Sequence, residues 1–255
     1  MSTTPEQNAD KDIEKRPEKY PEGHVGDGSG DPGGDLGDGD FGIPAVPPKP
    51  KLRGWIHAGT LPVAIALGVL LTVMAEGTAL KLACAVFLAT SSLLFGVSAV
   101  YHRGNWGTKA TALLRRMDHS NIFLLIAGTY TPMTIAALEP PASTVLLVLV
   151  WTGALLGIAF RMFWLSAPRW LYVVLYILLG WTAVWFAGEL ITANLVAVIL
   201  VLVGGLAYTG GAVVYGLKRP DPWPGVYGFH EIFHTCTVLA FACHWTAMLL
   251  FVLGD

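Results

Sequence analysis

The sequence predicts an all-α integral membrane protein, a seven-transmembrane helix bundle behind a disordered N-terminal tail. Three observations carry this. The 255-residue chain is 54% hydrophobic and only 13% charged, where a soluble domain carries about 25% charged residues. The charge is segregated: eleven of the 18 acidic residues precede residue 50, and only seven acids and nine bases follow Arg53. Beyond residue 55 the chain falls into seven apolar runs, each near the ~20 residues that cross a ~30 Å hydrocarbon core.

Residues 1–50 read as a disordered acidic Gly/Pro-rich cytoplasmic tail. They almost lack aliphatic side chains, so burial cannot offset the entropy of ordering them. They contain no apolar signal-peptide core, and the first apolar run is expected to stay in the mature chain. Residues 27–40 have the composition of a calcium loop but not its ordered spacing or terminal Glu, and read as a solvated linker. The membrane domain, residues 51–255, carries its runs at 56–75, 80–101, 119–137, 144–164, 170–188, 191–216 and 229–252. Lipid offers the backbone no hydrogen-bond partners, so continuous apolar stretches of this length are helices. Short polar breaks separate them, among them AEGTAL, LEPPAS, WLSAPR and KRPDPWPG.

Basic residues set the expected orientation. Lys49, Lys51, Arg53, Arg103, Lys109, Arg115, Arg116, Arg161, Arg169, Lys218 and Arg219 fall on one side, and Lys81 alone on the other. The N-terminus is therefore expected in the cytoplasm and the C-terminus outside, with the plasma membrane crossed an odd number of times. Trp55, Trp106, Trp164, Trp170 and Tyr227 stand near span boundaries, as interfacial anchors do. No basic patch is interleaved with aromatics, so nucleic acid is not an expected partner. Cys84, Cys236 and Cys243 lie inside apolar runs, give no disulfide framework and read as small fillers.

Ionisable groups inside spans are expensive and face the bundle interior or water. Here they are His57, His102, Asp118, His119, Arg161, Glu189, His230, Glu231, His234 and His244. His102 ends the second run, Asp118 and His119 open the third, and His230 and His234 open the seventh, so all five share one membrane face. His230 and His234 belong to HEIFH, which matches the HExxH pattern of zinc metalloproteases. Residues four apart on a helix lie about 40° apart and one turn deep, which suits two imidazoles on one metal. The protease arrangement wants a downstream third ligand, but position 240 is Ala240 and the one downstream acid is Asp255. His244 lies roughly 15 Å deeper than His234. The third ligand is expected upstream, and His102 is at the right depth.

Three histidines plus water make an open site of the catalytic type. Asp118 is expected to hold that water or take its proton. Ser98, one turn before His102, is expected to hydrogen-bond the ligand or touch substrate. Glu231, about 100° round the helix from His230, is expected to face out of the cluster. The plainer alternatives remain. Asp118 is also read as a helix-terminal acid offset by Arg115 and Arg116, and Ser98 as a small packing residue. His57 and His119 read as interfacial or packing residues, His244 as packed or hydrogen-bonded, and Arg161 and Glu189 as snorkelling end charges.

SAVYH (98–102), RRMDHSNIFLLIAGTYTP (115–132) and HEIFHTCTVLAFACHW (230–245) together resemble the signatures of the hemolysin III family. That family is grouped with the progestin and adipoQ receptors and, more broadly, the alkaline ceramidases. The resemblance covers about 200 residues, the whole membrane region. It implies a seven-helix bundle with zinc near the cytoplasmic side, His102, His230 and His234 as ligands, and Asp118 at the bound water with Ser98 nearby. The expected function is zinc-dependent (Zn2+) hydrolysis of a lipid amide or ester bond, with membrane lipid as substrate. The family name implies the alternative, a pore-forming or receptor-like membrane protein with a structural zinc. An intramembrane protease is disfavoured by the missing downstream ligand.

Overall fold

The computed structural model describes residues 50–254. The chain divides into two units, Met1–Ala45 and Val46–Asp255, and every described residue belongs to the second. The tail expected over residues 1–50 lies, but for Pro50, outside the described residues. The described residues are helical, with one isolated bridge between Trp223 and Tyr227 and no other pairing among them.

The elements are α1 (Trp55–Met74), α2 (Thr78–Arg103), α3 (Thr108–Ala137), α4 (Ala142–Phe163), α5 (Arg169–Gly180), a 3-10 turn (Thr182–Phe186), α6 (Ala187–Ala193), α7 (Leu195–Leu217) and α8 (Phe229–Leu253). Six stretches are long and apolar enough to cross a membrane: α1, α2, α4, Arg169–Ala193 taken as one, α7 and α8. The expected third span, α3, is 30 residues long but is not among those six.

Two boundaries differ from the sequence reading, and each has a physical cause. α3 begins at Thr108 rather than near residue 119. The segment before Asp118 is rich in Ala, Leu, Lys and Arg and has no Gly or Pro after Gly107, so it continues the helix outside the apolar run. The fifth span is broken between Gly180 and Thr182. The break is satisfied from inside the bundle: the Tyr130 hydroxyl donates to Gly180 O at 2.7 Å and accepts from Ala183 N–H at 2.8 Å. Irregular backbone at membrane depth persists where protein supplies its partners. α7 starts with a side-chain cap, Asn194 Oδ1 accepting from Ala197 N–H at 2.9 Å.

α3 is the central helix, packed against α2, α4, α5 and α8. α1 packs on α2 and α8, and α7 on α8. The burial pattern is that of a lipid-embedded bundle. Val63, Val73, Leu82, Leu149, Leu156 and Leu206 are exposed, while Ser98, His102, His119, Asn121, Thr134 and His234 are buried. α3 supplies many of the buried polar residues, which lowers its hydropathy without bringing those groups to lipid.

Candidate metal centre

The end of α2 and the start of α8 meet at one end of the bundle, because α3 and α1 hold both. His102 lies in the last turn of α2, and His230 and His234 in the first two turns of α8. Their ring centroids are 4.7 Å (His102–His230), 5.2 Å (His102–His234) and 4.6 Å (His230–His234) apart. One nitrogen from each lies within 4.8 Å of the other two, and Nε2 of His102 is 3.2 Å from Nε2 of His230. A tetrahedral ion with nitrogens at about 2.0–2.1 Å spaces them roughly 3.4 Å apart. The His102–His230 pair is already at that spacing, and His234 is near enough to join it. His234 Nδ1 is buried without a hydrogen bond. The donor set therefore fits an imidazole-bound metal.

Asp118 approaches the same cluster from α3, its Oδ2 3.7 Å from His102 Nε2. Ser98 neighbours the Asp118 carboxylate. Both face a cavity of about 100 Å³, whose wall also holds His230 and His234. The rest of that wall is mostly apolar, with Leu94, Ile122, Ile126, Val173, Ile177 and Phe233. A second cavity, deeper in the bundle, shares Thr129, Tyr130, Gly180, Trp181, Gly205 and His244 with the first. Four of the five site residues read from the sequence thus line one apolar opening, and His102 stands beside them, against His230 and Asp118.

Other sequence expectations come out differently. Arg161 does not snorkel: it is fully buried, with Nη2 at 2.6 Å from His119 Nδ1 and the guanidinium 4.4 Å over the Tyr172 ring. His119 is accordingly a buried partner of that arginine and not an interfacial residue. Glu231 faces away from the histidine cluster, as expected, and is buried there. One carboxylate oxygen accepts from Gly228 N–H at 2.9 Å, and the other forms an ion pair with Arg53. Both oxygens are committed, one to capping α8 and the other to Arg53 just before α1, which explains its absence from the cluster. His57 is buried in packing, as one expectation had it, but its neighbour is His234 itself. His244 makes the buried hydrogen bond allowed for it, Nε2 to Val201 O at 3.1 Å. Glu189 is exposed at the start of α6. The three cysteines are free. Arg53 was legible only as a flanking base, since its partner stands 178 residues away and no periodicity links them.

The family model described as Haemolysin-III related matches residues 46–245. The chain is similar to a protein named Hemolysin-3 homolog from Bacillus subtilis (strain 168), 30% identical over 161 residues, 62% of this chain and 72% of that one. It is also similar to Hemolysin-3 from Bacillus cereus, 33% identical over 147 residues, 57% of this chain and 64% of that one. No solved structure matches. The matched stretch contains all three histidines, Asp118 and Ser98, and takes in every helix through the first turns of α8. This chain belongs to the haemolysin-III related family of membrane proteins.

Proposed function

We propose that this protein is a zinc-dependent hydrolase of a lipid amide or ester bond. We place it in the plasma membrane, crossing it seven times with α3 as the third span, N-terminus cytoplasmic and C-terminus outside. One juxtaposition carries the reading: a three-histidine cluster with a carboxylate 3.7 Å from one ligand, opening into an apolar cavity within a membrane bundle. Imidazole sets favour zinc, copper, iron or nickel over calcium and magnesium, which take oxygen. Zinc in this site supplies Lewis-acid polarisation of a carbonyl oxygen and an acidified water.

The chain's own residues supply the remainder. His102, His230 and His234 would hold the ion. Asp118 accepts at a carboxylate oxygen the proton that the attacking water releases, then returns it to the departing nitrogen or oxygen. The C–N or C–O bond breaks to give a carboxylic acid and an amine or alcohol. Ser98, beside the carboxylate, keeps it aimed. The apolar wall binds the lipid chain and keeps bulk water from the reacting carbonyl.

The test begins with metal analysis of the purified protein, where absence of bound zinc sinks the reading. Lipid-substrate profiling of the zinc-loaded protein follows. Asp118→Asn is expected to keep metal and fold while lowering turnover on the order of 10²–10⁴-fold. A well-folded, zinc-loaded wild type that cleaves no lipid amide or ester refutes hydrolysis. The names of the Bacillus relatives favour a second reading, a cytolytic membrane protein with structural zinc. Dye release from liposomes by the wild type, undiminished in Asp118→Asn, favours that one.

A further inference from the structure

The entry to α1, Arg53 and Gly54 with the helix's first turn, contributes none of the three histidines, yet it touches the surroundings of each. Arg53 Nε donates to Glu231 Oε1, next in sequence to His230. Gly54 lies against His102: a Cβ there would stand 2.9 Å from His102 Cβ and 3.0 Å from Arg103 Cγ, and its φ is +80°. Only glycine takes that backbone and that approach without strain. The Arg103 guanidinium lies 3.5 Å over the Trp55 ring, which ties the same turn to the end of α2. His57 stacks on His234 with centroids 3.8 Å apart and planes 13° from parallel. Phe95 meets the other side of the arrangement edge-on, 5.1 Å from the His57 ring. The residues just before α1 are fixed as well, since Lys51 N–H and Leu52 N–H donate to Gly225 O and Val226 O at 3.0 and 3.3 Å in the loop that leads to α8.

His57 is buried, and neither ring nitrogen makes a hydrogen bond of ordinary length and angle. Buried polar groups are seldom left so without reason. A fourth ligand on the same ion is the first explanation to try, and the stacking argues against it. A metal lies near the plane of an imidazole that binds it, at about 2.0–2.1 Å. Two nearly parallel rings stacked 3.8 Å apart cannot both have one ion in plane at that distance. The contacts that remain are the face of His57 on the face of His234, an approach of the His57 ring to the His234 backbone outside ordinary hydrogen-bond geometry, and the edge of Phe95.

We propose that the turn from Arg53 to His57 is a positioning element of the metal centre, with His57 setting the ring plane of His234 and the Arg53–Glu231 pair setting the start of α8. This rests on the three-histidine cluster being a metal site, and does not need the hydrolase reading. Residues that orient ligands from outside are worth about 10–100-fold in metal affinity.

The experiment uses the full-length protein in detergent, stripped of metal and loaded with Co2+, whose visible d–d absorption reports ligand geometry. Affinity is read by chelator competition. His57→Ala is expected to weaken Co2+ binding about 10–100-fold and to alter the absorption at saturation. His57→Phe, which restores a flat ring against His234, is expected to recover both. The double variant Arg53→Met/Glu231→Gln removes the ion pair without leaving a buried charge, and is expected to weaken binding with His57 intact. Size-exclusion chromatography checks that each variant is folded, and the double variant decides the matter if His57→Ala is not. Wild-type protein that binds no metal defeats the metal reading itself. Wild type that binds, with affinity and spectrum unchanged in His57→Ala and the double variant, overturns the positioning role alone. His57→Phe losing the metal as His57→Ala does overturns it in favour of His57 as a ligand.

Discussion

Arg161 is a fully buried cation in α4, whose other faces carry exposed Val148, Leu149, Leu155 and Leu156. Its Nε and Nη1 find no hydrogen bond among the described residues, so His119 holds the one nitrogen that does. Removing the acceptor of a buried cation leaves its donor unsatisfied, which costs about 1–3 kcal/mol or more, whereas replacing both partners by apolar groups of similar shape is often nearly neutral. We therefore expect His119→Leu to lower the unfolding midpoint in detergent more than the double change His119→Leu/Arg161→Met. A double variant less stable than His119→Leu would contradict this account of the pair. The two residues also mark the limit of legibility at this scale. His102, Asp118, His230 and His234 could be read from sequence because a polar group in an apolar run is conspicuous and helix direction fixes its depth. Arg161 was equally conspicuous, but depth alone could not distinguish an end charge reaching lipid headgroups from one turned inward onto His119.

At the scale of elements, the apolar runs anticipated nearly in place the six stretches long and apolar enough to cross a membrane, because lipid imposes one length on all of them. The beginning of α3 was missed, since a helix that leaves the membrane keeps its helical propensity after its hydropathy ends. The break after α5 was missed because the group that satisfies it, Tyr130, belongs to another helix. Close helix contact is likewise a tertiary fact. A Cβ on Gly211 of α7 would stand 2.7 Å from Cys236 Cβ of α8, less than one turn beyond His234, whereas one on Gly210 would meet nothing within 4 Å. Small residues at membrane helix interfaces permit such approach. Gly211→Leu is expected to destabilise the bundle by about 1–3 kcal/mol through overpacking, seen as a lower unfolding midpoint in detergent. Gly210→Leu, one position away, serves as the control and leaves the midpoint unchanged or slightly raised, because a helix gains up to about 1 kcal/mol when glycine is replaced by a better helix former. Equal damage from both would mean that α7 and α8 are not held by this contact.

For the whole molecule, the histidine cluster constrains the topology more tightly than hydropathy does. His102 ends α2 and His230 opens α8, and their Nε2 atoms are 3.2 Å apart, so the chain must leave and return on the same side of the membrane. Between them lie α3, α4, the broken span Arg169–Ala193 and α7. If α3 did not cross, three crossings would separate the two histidines and put them on opposite faces. With α3 crossing there are four, and they meet. The polar interior face of α3 explains why it lacks the apolar character of the other spans: its Ser120, Asn121, Thr131 and Thr134 are buried in the bundle. On the proposed topology the count of spans is odd, and the two ends of the chain are expected on opposite sides. The flanking bases still support the proposed direction after Arg161, now placed in the interior, is withdrawn: along the sequence ten fall on the side assigned to His102 and His230, and Lys81 alone on the other. Fusion reporters in a bacterial host read this directly. Green fluorescent protein is expected to fluoresce at the N-terminus and stay dark at the C-terminus, and alkaline phosphatase to be active at the C-terminus alone. Fluorescence at both ends would return α3 to the membrane surface, and the histidine cluster could not then form as described. Fluorescence at the C-terminus alone would keep the seven spans and the cluster but reverse the orientation, moving the metal centre to the outer face.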